Sequence, residues 1–437
     1  MISRTWRLAA LVGLLVGCSG GDDGTGPPPA NRAPTIAFTF TKLGVVRNLP
    51  VDLTVAVDDL DDDPLTITWS ITRGSLVAQN AAKTVMRWTA PSAVGPDTVV
   101  ISVSDGTVTR SVTEVVKVGW PATGQTALST YLKSRSPYIV SAPAISPNIM
   151  VEQGQVSNIE PGTELLIDTP LTVFDVIGTL NANGSPGERV VIRPNDRTFK
   201  CGDERGWWEG IRGATLSDGI NTYHGQVNLT YAEIREANNA VRLRDGAGAV
   251  ILDTRILCSG TSGVFIEGNG SLIIERSEVS NGRDNGISVS AISSLPDTVS
   301  IRECVISING NAGIKLDLND VDKEVPIDII QNRITINFSR GITMAHSVFP
   351  RIHRNHFSGN GVEAGVMNIY LEEGYPGAAA GAAQLDATCN FWGAVVNQQS
   401  TIDATIRDIL DSGGVGTRMV TSPWLNVDPL TSNPVCP

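Results

Sequence analysis

After residue 17 this 437-residue chain has no apolar run long enough to cross a bilayer as a helix, so nothing in its body reads as a membrane span. Aromatic residues make up only 5% of it and charged residues 18%, while Gly reaches 44; that balance suits many short strands and tight turns. Basic residues are outnumbered, 33 Lys and Arg against 45 Asp and Glu. The resulting charge of −12 excludes the basic stripe that nucleic acid demands. No two Cys stand as C-x-x-C, which argues against a structural zinc site and thioredoxin chemistry. Histidine is scarce: His353 and His356 lie three apart, but His224 and His346 are poorly placed to complete a zinc ligand set. The Gly pairs are accounted for by bends, and none forms a phosphate cradle.

What is present begins with Arg4, Arg7 and an apolar run from Leu8 to Val16, a secretion signal over residues 1–17. Its end, Leu15-Val16-Gly17-Cys18, resembles the bacterial lipobox, which implies lipid on Cys18 and a membrane partner without a spanning helix. Ser19 in place of Asp implies, by the same resemblance, an outer-membrane or cell-surface address. Residues 18–33 include GGDDGTGPPPAN, a polar tether unable to bury a core. Secretion permits disulfides. Of the five Cys beyond the tether, the expected pairs are Cys389 with Cys436 and Cys201 with Cys258.

Residues 34–119 alternate apolar and polar positions in "TIAFTF", "VDLTVAV", "LTITWSI" and "TVVISVS", the pattern of an antiparallel β-sandwich, with Trp69 on a middle strand as its buried aromatic. With "NRAPTI" at its entry and "VSDG" near its end, the segment resembles bacterial immunoglobulin-like or cadherin-like surface modules. The acids Asp58, Asp59, Asp61, Asp62 and Asp63 offer the hard oxygen ligands that calcium prefers, or else form a solvated turn.

Further on, "LTYAEIREANNAVRL", "LDTRILCSGTSGVFI", "IERSEVSNGRDNGISV", "IRECVISINGNAGIKL", "IIQNRITINFSRGITM" and "IHRNHFSGNGVEAGVMNI" are versions of one unit. Anchored on Ile234, Leu257, Val279, Ile306, Ile334 and Phe357, they repeat every two dozen residues or so, the mark of a solenoid. The frame of leucine-rich repeats is absent, and Gly falls where a helix would have to continue. A parallel β-helix remains, with bends expected at Asn281-Gly282 and Asn285-Gly286. Two positions before the anchors, Ser277, Cys304, Asn332 and Asn355 are suited to stacking inside a bend, so Cys304 reads as a buried thiol. "LTVFDVIGTLNANGSPGERVVIRP" and "GWWEGIRG" ahead of these coils, and "LDATCNFWG" after them, resemble bacterial right-handed β-helix repeat proteins of the pectate-lyase-like and NosD-like kind. The chain is thus expected to be all-β, an immunoglobulin-like sandwich followed by a right-handed parallel β-helix. Residues 120–149 are assigned to a linker and N-terminal cap, 150–395 to the β-helix and 396–437 to a C-terminal capping segment, where Ile402, Ile406 and Leu410 would share a helical face.

Chemistry on such a scaffold would sit on an outward row, here Arg242, Phe265, Ser288, Lys315 and Thr343, one per coil. Lys315 precedes "LDLNDVDKEVP", with Asp317, Asp320, Asp322 and Glu324. The resemblance to polysaccharide lyases implies a Lys or Arg base, Lys315 with Arg340, and calcium as the one cofactor to consider. Sugar binding would use Arg242, Phe265, Lys315 and Trp207. No carboxylate pair of the glycosidase kind stands out. The leading expectation is a monomeric, lipid-anchored surface module that binds carbohydrate or a protein partner without catalysis. A polysaccharide lyase is the alternative, and whether the chain is an enzyme stays open. A deep groove joining Lys315 to Arg340 or Arg242 would favour catalysis; a shallow polar face would favour binding.

Overall fold

Strict alternation along Pro50–Asp58 and Gly95–Ser104 puts Leu53, Val99, Ile101 and Val103 on buried faces, and these strands carry the front of the molecule. The computed structural model describes residues 30–143, 148–199, 201, 206–291, 298–318, 327–346, 350–361, 367–372, 384–393, 399–408, 418–429 and 436. One sheet of the sandwich has four strands, ordered Thr35–Phe38, Pro50–Asp58, Val85–Thr89 and Ser75–Ala78. Facing it are Thr66–Ile71, Gly95–Ser104 and Thr109–Thr123, with Gly44–Val46 alongside. The buried tryptophan is Trp88, not Trp69. Thr66–Ile71 ends its sheet, and Trp69 there is only half-buried, donating to the Lys83 carbonyl, whereas Trp88 is fully enclosed and donates to the Arg73 carbonyl.

The strand Thr109–Thr123 belongs to both halves of the protein. Through Val118 it pairs antiparallel with Gly95–Ser104; from Trp120 to Thr123 it pairs parallel with Tyr138–Ser141. The stretch 120–149 is therefore not a plain linker, because Thr130–Tyr131 and Tyr138–Ser141 already pair with the following coil. Asn195 fastens the junction from below: its Oδ1 accepts from Gly44 N at 2.7 Å and its amide donates to Gly44 O at 2.9 Å. Arg197 pairs with Glu114, and Lys42 with Asp168 at 2.8 Å.

Beyond this junction the strands stack in parallel into three long sheets: one of ten strands, one of nine, and the solenoid's share of a thirteen-stranded sheet that runs on into the sandwich. The anchors hold with one exception. Ile234 pairs with Ile256, which pairs with Val279, so Leu257 faces outward. A slip of one residue exchanges the two faces of a strand, and "RIL" offers apolar side chains to both.

From the strand Gln226–Thr230 onward, each coil turns from the nine-stranded to the thirteen-stranded sheet through one left-handed residue: Tyr231, Asp253, Arg276, Glu303, Gln331 and Arg354, at φ between 46° and 60°. Such residues are strained. The next side chain inward offsets that cost by bonding from coil to coil. Thr254, Ser277, Cys304, Asn332 and Asn355 form this buried column. Cys304 N donates to Asn332 Oδ1 at 2.9 Å, and Asn332 N to Asn355 Oδ1 at 2.9 Å. At the next corner Asn281 takes the left-handed conformation, and the column Asn309, Asn337 and Asn360 repeats the same bonding. Asn285-Gly286, by contrast, is not a bend; it opens the strand Asn285–Ala291.

Cys304 is the free thiol among the described cysteines, and the structure joins Cys201 to Cys258 and Cys389 to Cys436, with Cα atoms 5.2 and 5.5 Å apart. Burial pushes the Cys304 thiol up to about 12. Native protein is therefore expected to leave Cys304 unmodified by iodoacetamide at pH 8, with labelling appearing only as denaturant opens the coils; rapid labelling without denaturant would contradict the buried column.

At the far end a helix spans Gln399–Asp403 and stops there, because the Thr405 N–H and hydroxyl both turn back to the Ile402 carbonyl. Ile406–Arg407 is a strand paired with Ile369–Tyr370, so the expected helical face through Ile406 does not form; Leu410 lies outside the described residues. His353 meets Asp386 at 3.1 Å on the strand Gln384–Asp386, and His356 meets Asp428 at 2.8 Å, which pins the C-terminal segment to the last coils.

On the nine-stranded sheet Asp328 accepts from Arg351 at 2.7 Å and from Arg302, and the Arg351 bonds hold its carboxyl below the usual 3.8. A depressed folded value gives stability that is present above 3.8 and lost as pH falls through the lowered value. Asp328→Asn is expected to destabilise at pH 7 and to converge on the parent in acid, as a pH series of denaturant midpoints would show.

Candidate functional site

The ten-stranded sheet carries one outward side chain per coil in unbroken register: Asp175, Arg212, Arg242, Phe265, Ser288, Lys315, Thr343, Tyr370 and Arg407. Adjacent rungs are about 4.8 Å apart. Ser288 and Thr343 are small and covered, 8% and 2% exposed, so Lys315 stands proud between them. Two positions ahead of the row the strands carry Gly263, Gly286, Gly313 and Gly341, where the coil interior is crowded. A Cβ on Gly286 would lie 2.6 Å from the Gly313 carbonyl oxygen and 2.8 Å from Asn309 Nδ2. Here glycine answers a close approach of coils rather than a positive φ.

Around Ser288 the surface dips into an open depression of about 240 Å³, lined by Phe265, Asp284, Asn285, Ser290, Lys315 and Asp317 together with Thr261 and Ser262. Phe265 supplies an apolar face and the rest supply hydroxyls, an amide and charges. Lys315 Nζ lies 3.8 Å from Asp317. Asp284 is the lining residue that reading the sequence passes over, since it sits among the turn-forming residues of "NGRDNG". Its coil neighbours at that corner, Thr261 and Asn311, show that it belongs to a register of its own.

The structure separates residues that the sequence groups with Lys315. Arg242 lies over Phe265 at 5.5 Å but turns to Glu267, which it shares with Arg244. Arg340 stacks on Tyr370 at 3.7 Å, with Arg407 on the same ring at 5.2 Å. Neither Arg242 nor Arg340 lines the depression around Lys315. Trp207 is away from it as well, packed edge-on against Phe199 at 5.7 Å, while Trp208 is fully buried in the first coils. Asp320, Asp322 and Glu324 of the insertion lie outside the described residues, as does Cys18.

In the sandwich, Asp59, Asp61 and Asp63 bring carboxylate oxygens within 4.8 Å of one another. Asp61 is already engaged, accepting from Arg32 Nε at 2.8 Å and from Arg32 N at 2.6 Å. Asp58 ends the strand Pro50–Asp58 opposite Thr35, and Asp62 is the left-handed residue of the turn, so neither joins the group.

No helix among the described residues is long and apolar enough to cross a membrane. Two solved structures similar to this chain are crystal structures of mutants of the periplasmic alginate epimerase AlgG. A double mutant aligns with a TM-score of 0.31 and a single mutant with 0.24, each at 11% identity over 72% of this chain and 85% of that one. No curated protein matches the chain. Residues 218–373 match the family model for a right handed beta helix region. The strand register over those residues and the family model agree, and the repeat segment of this chain is a right-handed parallel β-helix.

Proposed function

We propose that the ten-stranded sheet binds a carbohydrate chain laid along its outward row, without turning it over, and that the protein does so at the cell envelope, held by lipid on Cys18. One observation carries the reading: in a chain of net charge −12, a single outward row holds Arg212, Arg242, Phe265, Lys315, Tyr370 and Arg407, with Asp175 as its one acid. Rings offer platforms to the apolar faces of sugars, and cations offer partners to acidic substituents. The coil rise is close to the length of one pyranose unit in an extended chain, so successive sugars meet successive rungs. The two disulfides suit an oxidising compartment.

The test is retention of the purified protein on acidic and neutral polysaccharides, with products followed in the same samples. Binding to an acidic polymer, weakened by salt and reduced about tenfold or more in Lys315→Ala, is the expected result. A second reading follows from Asp284 and Asp317, two carboxylates lining one depression, the residue types that glycoside hydrolysis uses. New reducing ends that vanish in Asp284→Asn would replace binding by hydrolysis, and unsaturated ends that vanish in Lys315→Ala would replace it by elimination. Absence of both binding and products across the panel would overturn the carbohydrate reading in favour of a protein partner.

A further inference from the structure

A second group of chemically potent side chains lies away from this face, at the corner between the thirteen- and ten-stranded sheets. Glu236 and Cys258 occupy the same left-handed position in adjacent coils, at φ 52° and 63°, and their N–H groups donate to Leu257 O and Ser280 O in the same way. Coil stacking thus sets them one rung apart, about 4.8 Å by sheet geometry. Cys201, bonded to Cys258, is exposed. One ligand-type atom from each of Cys201, Glu236 and Cys258 lies within 4.8 Å of the other two.

Glu236 is the odd member of this group. It is 0% exposed, and neither carboxylate oxygen accepts a hydrogen bond; its ion pair is with Arg235 Nε at 3.4 Å. A buried carboxylate without hydrogen bonds costs stability, and a site that keeps one aimed at two sulfurs has the donors of a metal centre. We propose that reduction of the Cys201–Cys258 bond turns this corner into a binding site for a zinc-like divalent cation, with Cys201, Cys258 and Glu236 as its protein ligands.

The chemistry balances. A dithiol reductant supplies two electrons and two protons and leaves as its own disulfide; the S–S bond breaks and two S–H bonds form. The cation then displaces both thiol protons to solvent. Two thiolates and a carboxylate around a doubly charged ion leave one negative charge, and Arg235 is in place to offset it. Bonds of about 2.3 Å to sulfur and 2.0–2.2 Å to oxygen require the two sulfurs to part from bonding distance, which the exposed Cys201 does once reduced, and the Glu236 carboxylate to close on them, with water as a fourth ligand. Spacing gave no sign of this site, because 57 residues separate the two cysteines.

The experiment uses the full chain, oxidised or reduced with a dithiol that is then removed without air, and titrates it with Co²⁺ alone as a zinc surrogate. Reduced protein is expected to take up one equivalent with an intense near-ultraviolet thiolate-to-cobalt band that Zn²⁺ abolishes, and oxidised protein none. Glu236→Gln, which leaves both sulfurs in place, is expected to lose affinity at least as far as the about tenfold that outer partners of metal sites produce. The double variant Cys389→Ser with Cys436→Ser should keep the band. Reduced protein without the band, Glu236→Gln binding as tightly as the parent, disappearance of the band in that double variant, or collapse of the far-ultraviolet circular dichroism on reduction would each overturn the proposal.

Discussion

Replacing Asn355 with Ala is expected to loosen the C-terminal coils, lowering their stability by about 3 kcal/mol or more. Asn355 Oδ1 accepts from both the main-chain N–H and the side-chain amide of Asn332, at 2.9 and 3.0 Å, and its own amide donates to the Ile329 carbonyl at 2.7 Å. All of these atoms are buried, so water cannot replace the missing partner. The corner residues Gln331 and Arg354 would also stay left-handed with less to hold them there. Solenoids need not melt as one unit, so the measurement should be local. Hydrogen exchange in Arg351–His353 and His356–Ser358 should accelerate far more than exchange in Val190–Pro194. Equal protection in parent and variant would mean that the asparagine column fills space without fastening the coils.

The second large effect is expected from Gly286→Val. Any Cβ at this position meets the main-chain oxygen of Gly313, and the branched side chain adds contact with Ile306. Main chain cannot swing aside as a side-chain tip can, so adjacent coils must separate. A cost of about 3 kcal/mol is expected, at the upper end of ordinary overpacking. Separation would tilt Ser288 and Lys315 out of their row as well, so loss of polysaccharide retention should accompany the fall in denaturant midpoint. A variant as stable as the parent would show that the coils have slack at the glycine column.

Most of the solenoid was legible because its constraints are local. Each coil must supply β-branched strands and small or amide side chains beside its corners, and these stand out in "IERSEVSNGRDNGISV" and its kin, although the left-handed corner residues themselves, Asn281 apart, are mostly neither Asn nor Gly. Where the local signal was double, reading it failed. Ile256 and Leu257 are both apolar, and only pairing with Val279 decides which is inside. Trp69 and Trp88 both sit in alternating strands, and only the strand order puts one at an edge. The coil formed by residues 120–141 was hidden because its strands Thr130–Tyr131 and Tyr138–Ser141 are short and do not repeat the pattern of the later coils.

The outward row was legible for the same reason that the register was, since Arg242, Phe265, Ser288, Lys315 and Thr343 follow once the coils align. What each side chain does there was not. Arg242 turns to Glu267 and Arg340 to Tyr370 through contacts between neighbouring coils, and these depend on rotamers that spacing does not specify. Asp284 entered the depression from a corner that looked like plain turn chemistry.

The shared strand Thr109–Thr123 also bears on how such a protein is assembled over generations. Modules joined by a linker can be traded by recombination, because a cut between them breaks nothing that either needs. A cut near Val118 would leave Tyr138–Ser141 with a bare edge and Gly44–Val46 without its neighbour. Any replacement for the front module would have to bring a strand of matching direction and an equivalent of the Gly44–Asn195 clasp. The sandwich and the first coils are therefore inherited as a pair, whereas coils in the middle of the stack, each resting on a similar neighbour, remain free to be duplicated or lost.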